Sequence, residues 1–131
     1  MRIALAAVML AAMAAGPPTV VSEQTHRPEH IGQCFTTRVA KVETRLEDEK
    51  GHAIAGSGSA ISLADGHYTV GYDQLPAIDR SRVGDTVTLC VVALPSDCPA
   101  GDTRGIEYHG RNLRTGLTWK AYDSEHLCGG A

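Results

Sequence analysis

Aromatic side chains are scarce: the 131-residue sequence holds one Trp, one Phe and four Tyr. A core that leans on Val, Leu, Ile and Ala buries less area per side chain than one built on rings, so a small domain of this kind needs support from elsewhere. Amphipathic helical periodicity longer than two turns is missing beyond the first residues, which argues against an all-α architecture. Positive charge is not in excess either, with 12 basic residues against 15 acidic ones. A chain of that balance lacks the electrostatic footprint of a protein that grips nucleic acid through its phosphates. No Cys-x-x-Cys occurs, so thiol–disulfide exchange has no obvious centre and zinc-finger spacing is absent. Nor does any apolar run reach the roughly 20 residues that a membrane-spanning helix requires.

What is present begins with a leader. Met1 and Arg2 form a short positive start, residues 3–12 are an apolar run, and Ala12, Met13 and Ala14 offer small residues around a cleavage point. Residues 1–14 therefore read as a secretory signal peptide, and Gly16-Pro17-Pro18 stops any helix soon after. No cysteine stands there to carry a lipid, so the expected product has no membrane anchor after cleavage and is periplasmic or secreted. Loss of Arg2 leaves 11 basic residues against 15 acidic ones, a net charge of −4 with neutral histidines. Residues 15–32, with three prolines and little apolar periodicity, read as a flexible arm. Residues 33–131 are long enough for one domain and too short for two.

All four cysteines, Cys34, Cys90, Cys98 and Cys128, lie beyond the leader. An even number of thiols sent to an oxidising compartment implies two disulfides. Three pairings exist and spacing does not choose among them; in each, Cys128 is tied to the body of the domain.

The body alternates as strands do. In "CFTTRVAKVETRLE", Phe35, Thr37 and Val39 share one side, and Val42, Thr44 and Leu46 continue after a one-residue slip, which predicts a long strand with a bulge near Ala40. A charged turn, "EDEKGH", follows. "SAISL-ADGH-YTVGY" predicts a hairpin about Asp65-Gly66. Residues 76–80 allow one helical turn. "GDTVTLCVVALP" is apolar on both alternations and predicts a central strand buried on both faces. "IEYHG" and "LTWKAY" predict two further strands, joined by a turn that uses Asn112 and Gly116. The fold expected is all-β, a small OB-like barrel or compact sandwich of five to seven strands stabilised by disulfides.

Candidate chemistry is thin. "HRPEH" at residues 26–30 has the lettering of a zinc protease motif, but Pro28 pushes Arg27 out of helical dihedrals, so His26 and His30 cannot share a helical face. No metal and no cofactor is expected. His52, His67, His109 and His126 fall singly near turns or strand ends, and "AGSGSA" is neither a nucleophile elbow nor a phosphate loop. Glu47-Asp48-Glu49 reads as a solvated turn, and spacing singles out no catalytic pair among Asp73, Asp79, Asp85 and Asp102. One constellation stands out. Arg104, Arg111, Arg114 and Lys120 are interleaved with Tyr108, Trp119 and Tyr122, against a single acid, Glu107. Alternation on neighbouring strands would put some of these on one face, a cationic and aromatic surface for an acidic protein, an acidic peptide or an anionic glycan of the cell envelope. The competing expectation is ordinary packing, with Trp119 in the core and the arginines paired to nearby acids.

"LPAIDRSRVGD", "CPAGDTRG", "NLRTG", the single Trp and the ending "DSEHLCGGA" together resemble a group of small exported proteins of Gram-negative bacteria to which no reaction is assigned. The resemblance covers residues 68–131 and implies an exported single domain with the two later cysteines; it brings no functional residue with it. The reading preferred is a non-enzymatic exported binding or inhibitory module that uses Arg104, Tyr108, Arg111, Arg114, Trp119 and Lys120. The alternatives are a small hydrolase of envelope polymers with unidentified carboxylates, or a structural envelope protein. Two or more acids converging in one concavity would favour the hydrolase.

Overall fold

The structure, a computed structural model, describes residues 14–16 and 29–130. Residues 1–13 of the expected leader and most of the expected arm, including residues 26–28 of the His-rich segment, lie outside the described residues.

Six strands and one helical turn follow in order: β1 (Cys34–Thr44), β2 (Ser59–Leu63), β3 (Tyr68–Gly71), α1 (Pro76–Asp79), β4 (Thr86–Ala93), β5 (Glu107–Asn112) and β6 (Thr118–Tyr122). They close into a barrel in the order β1-β2-β3-β6-β5-β4, and every neighbouring pair is antiparallel. The chain therefore makes two three-strand meanders joined through α1. Closure removes the free sheet edges that a sandwich would leave.

β1 supplies the longer seam between the two meanders, with five residues paired to β4, whereas β3 and β6 meet at Val70 and Tyr122. Residues Cys34 to Arg38 pair with β4, while Val39 onward pairs with β2, with a register slip between Val39 and Lys41. The slip is the bulge expected at Ala40. It lets Val39 and Val42 both point inward while the strand bends from one side of the barrel to the other. The Asp65-Gly66 hairpin also forms, with Ile61 opposite Thr69.

One expectation is corrected. β4 is not buried on both faces: Val87, Leu89 and Val91 are at most 1% exposed, whereas Val92 is 37% exposed and Leu94 beyond it 41%. A small barrel has one interior, so the second apolar row of β4 faces outward, and Cys90 on that row is consumed by a disulfide. In β3 the interior residue is the polar Thr69, whose hydroxyl accepts a hydrogen bond from Trp119 Nε1 at 3.1 Å. Val70 is buried on the outer side, apart from the main core, and lines a shallow hollow of about 370 Å³ with Leu75, Tyr122 and Leu127.

The core gathers Val39, Ile61, Leu63, Val87, Leu89, Val91, Tyr108 and Trp119, with Ala77 and Ile78 of α1 packed against the end where β3 hands over to β4. At that same end Asn112 is fully buried. Its amide donates to Ser81 Oγ at 2.9 Å and Asp85 Oδ2 at 2.8 Å, and its oxygen accepts from the backbone of Arg114 and Thr115. The expected turn at Asn112 and Gly116 is thus built around a satisfied polar hub.

Of the three open pairings the structure holds Cys34–Cys90 and Cys98–Cys128. The first joins directly opposed residues of β1 and β4; the second ties the loop 94–106 to the C-terminal segment. Two disulfides place the folded chain in an oxidising, non-cytoplasmic compartment.

Candidate functional site

The six residues singled out by sequence do not form one surface. On β5 and β6 the inward row is Tyr108, Gly110, Asn112, Trp119 and Ala121, so both aromatic candidates lie inside, Tyr108 2% and Trp119 4% exposed. Gly110 is required beside Trp119, because a Cβ there would stand 2.2 Å from the indole ring. Arg104 makes a two-pronged contact with Asp102, at 2.9 and 2.8 Å. Arg114 bonds Asp85 at 2.7 Å and the Arg80 carbonyl, and Lys120 lies 3.3 Å from Glu107. The Arg104 and Arg114 guanidiniums hold the Asp102 and Asp85 carboxyls well below the usual range. Arg111 projects outward opposite Thr118 and has no ion-pair partner among the described residues. Arg111 and Lys120 occupy the face of these two strands opposite the rings, as period-two alternation dictates once Trp119 is inside, while Arg104 and Arg114 lie outside the strands.

A different concavity opens at the barrel end opposite α1. The Asp65-Gly66 turn forms one wall and the loop 94–106 the other, enclosing about 790 Å³. Leu94, Pro95 and Ile106 give it apolar lining; Glu29, Asp65, His67, Tyr108 and Asp123 give it polar groups. Cys98 itself lines the groove, and its bridge to Cys128 anchors the loop wall.

The polar groups are ordered around one carboxylate. Glu29, just ahead of β1 and with only 9% of its side chain exposed, places Oε1 2.8 Å from His67 Nε2. Its Oε2 accepts the Tyr108 hydroxyl. His67 is also 2.8 Å from Asp65 Oδ2 through Nδ1, an ion-pair contact without hydrogen-bond geometry, so that buried nitrogen has no hydrogen-bond partner among the described residues. Phe35 lies tilted against the imidazole with ring centres 4.3 Å apart, and Tyr108 meets it edge-on at 5.6 Å. Burial works against a charge on His67, but the hydrogen bond to Glu29 and the attraction of the Glu29 and Asp65 carboxylates outweigh it and raise the imidazole pKa. Burial, reinforced by Glu29, also raises the Tyr108 hydroxyl, which therefore stays a donor. On the far side, Asp123 Oδ1 accepts the backbone N–H groups of Gly105 at 2.8 Å and Ile106 at 3.2 Å, yet burial pushes its pKa up.

The charge on His67 gives folding stability a pH dependence of definite sign. An unfolded imidazole titrates near 6.5. Because the folded value is higher, the contribution is complete below that point and is lost as pH rises through the folded pKa. The urea midpoint is expected to be higher at pH 6 than at pH 9, with the difference reduced in His67→Gln. A midpoint that rises over this interval, or an unchanged difference in His67→Gln, would contradict the pairing.

Glu29, Asp65, His67 and Asp123 were not legible as a site. His67 is separated from Glu29 by 38 residues and Tyr108 by 79, and no spacing rule links positions that far apart. The nearest sequence signal is the Asp-Gly-His turn itself. Among the described residues no group of three or more His, Cys, Asp or Glu side chains is arranged to hold a metal ion. Comparison with family models, curated proteins and solved structures gives no match.

Proposed function

We propose that the protein is an exported, non-enzymatic binding module, periplasmic or secreted after loss of residues 1–14, whose ligand enters the groove at the barrel mouth. The observation that carries this reading is the groove itself. It combines about 790 Å³ of space with apolar walls and a few convergent polar groups, the usual composition of a ligand site. The arginine-bearing strands support it less well, since their aromatic side chains face inward and Arg104, Arg114 and Lys120 contact acids.

Thr103, exposed on the groove wall, provides the test. A panel of short peptides and oligosaccharides from the cell envelope is screened by thermal shift against wild type and Thr103→Trp, a substitution chosen to obstruct the groove. Ligands that stabilise wild type by several degrees and leave Thr103→Trp unmoved are expected. Ligands that stabilise both equally would remove the groove from the account.

The hydrolase reading draws on one specific feature, that Glu29 and Asp123 line the same groove and Asp123 is pushed toward its protonated form. A raised acid beside a second carboxylate is the arrangement used by acid–base hydrolysis of glycosides. Release of reducing ends from envelope polysaccharide, abolished by Asp123→Asn, would replace the binding reading with this one.

A further inference from the structure

We propose that Glu29 is a ligand mimic: its carboxylate occupies, from within the same chain, a seat built by His67 and Tyr108 for a carboxylate carried by the ligand of the groove. The inference rests on the groove being the binding site and names the chemistry recognised there.

Three observations carry it. The two donors belong to the rigid barrel, His67 at the β2–β3 turn under the Phe35 ring and Tyr108 on β5 in the core. Their acceptor does not. Among the described residues the first backbone hydrogen bond from this end of the chain to the barrel is Gly32 N–H to the Val91 carbonyl, so Glu29 is fastened to the barrel through its side chain. The seat therefore persists when the side chain leaves, and a half-buried imidazole N–H and a buried phenol without an acceptor would be poorly satisfied. Finally, the seat opens directly onto the apolar wall of Leu94, Pro95 and Ile106, so an anion entering there can lay an apolar body along the groove.

The charges around the seat permit this exchange. Asp65 lies 2.8 Å from His67 Nδ1, so the one imidazole faces Asp65 and the carboxylate in the seat together, before and after an exchange. Asp123, the other acid facing the seat across the groove, is shifted by burial toward its neutral form. Asp102 at the rim is neutralised by Arg104. A ligand carboxylate replaces the Glu29 carboxylate one for one, with no added net charge at the mouth.

The probe is benzoate, with benzamide as its neutral counterpart of the same shape, read by the NMR shifts of the His67 ring in the oxidised full-length domain. Glu29→Ala is expected to bind benzoate at least tenfold more tightly than wild type does, and benzamide at least tenfold more weakly than benzoate. Tyr108→Phe introduced into Glu29→Ala is expected to weaken benzoate again. Should Glu29→Ala be too unstable for titration, benzoate is expected to raise its melting temperature more than benzamide does. Equal benzoate affinity in wild type and Glu29→Ala, equal affinity for the two probes, or no preferential rescue would overturn the mimic. If benzoate binds both forms alike and Thr103→Trp abolishes that binding, the mimic fails while the groove remains; shifts confined to residues outside the groove defeat both.

Discussion

Removal of the Cys34–Cys90 bridge, by the double substitution Cys34→Ser/Cys90→Ser, is expected to lower stability by about 4 kcal/mol and the melting temperature by roughly 15–30 °C. The magnitude follows from the 56-residue separation of the two cysteines, because a cross-link that closes a long loop removes the most freedom from the unfolded chain. The bridge also joins β1 to β4 at the end where β1 begins, across the more extensively paired of the two seams between the meanders. Cys98–Cys128, with a separation of 30, is expected to be worth somewhat less, about 3–4 kcal/mol. Reduction of both would remove an amount comparable with the whole stability of a small domain, so the reduced protein is expected to be unfolded at 37 °C. Calorimetry with and without dithiothreitol reads this directly, and coincident melts would contradict it.

Trp119→Ala is expected to cost about 3–5 kcal/mol, the range for deleting a large ring from a packed core. Trp119 is 4% exposed, lies flat enough on Gly110 that no Cβ fits between them, and donates its indole N–H to Thr69, which is itself fully buried. Truncation leaves both a cavity and a buried hydroxyl without its donor. Among the described residues the ring contacts join Phe35, His67 and Tyr108 and none involves Trp119. Denaturant unfolding of Trp119→Ala, followed by circular dichroism because the fluorophore is gone, measures the loss. A change below about 1 kcal/mol would show that the core does not depend on this side chain.

Local signals in the sequence were dependable where the physics is local. The slip in alternation at Ala40 is a bulge, Asp65-Gly66 is a hairpin turn, Pro76 starts one helical turn, and Asn112 with Gly116 closes the last hairpin. Alternation also separates the two faces of each strand, but it does not say which face is inside. In β4 both faces are apolar, and its interior was misjudged; in β3 the row that turns inward carries the polar Thr69, which apolar alternation does not mark. The same ambiguity made Tyr108 and Trp119 look like partners of Arg111 and Lys120, when register places the rings and the cations back to back. The groove was invisible for a different reason. Its polar set comes from the segment before β1, the β2–β3 turn, β5 and the residue after β6, and only closure of the barrel brings these together.

The mouth of the barrel, and not its outer arginine-bearing wall, is where the protein is held to meet its ligand. The most direct test is chemical-shift mapping of the oxidised domain with the first ligand that the thermal-shift panel yields. The account predicts perturbations grouped at Gly66, His67, Thr103, Ile106 and Tyr108; perturbations confined to Arg111, Thr118 and Lys120, with the mouth silent, would contradict it.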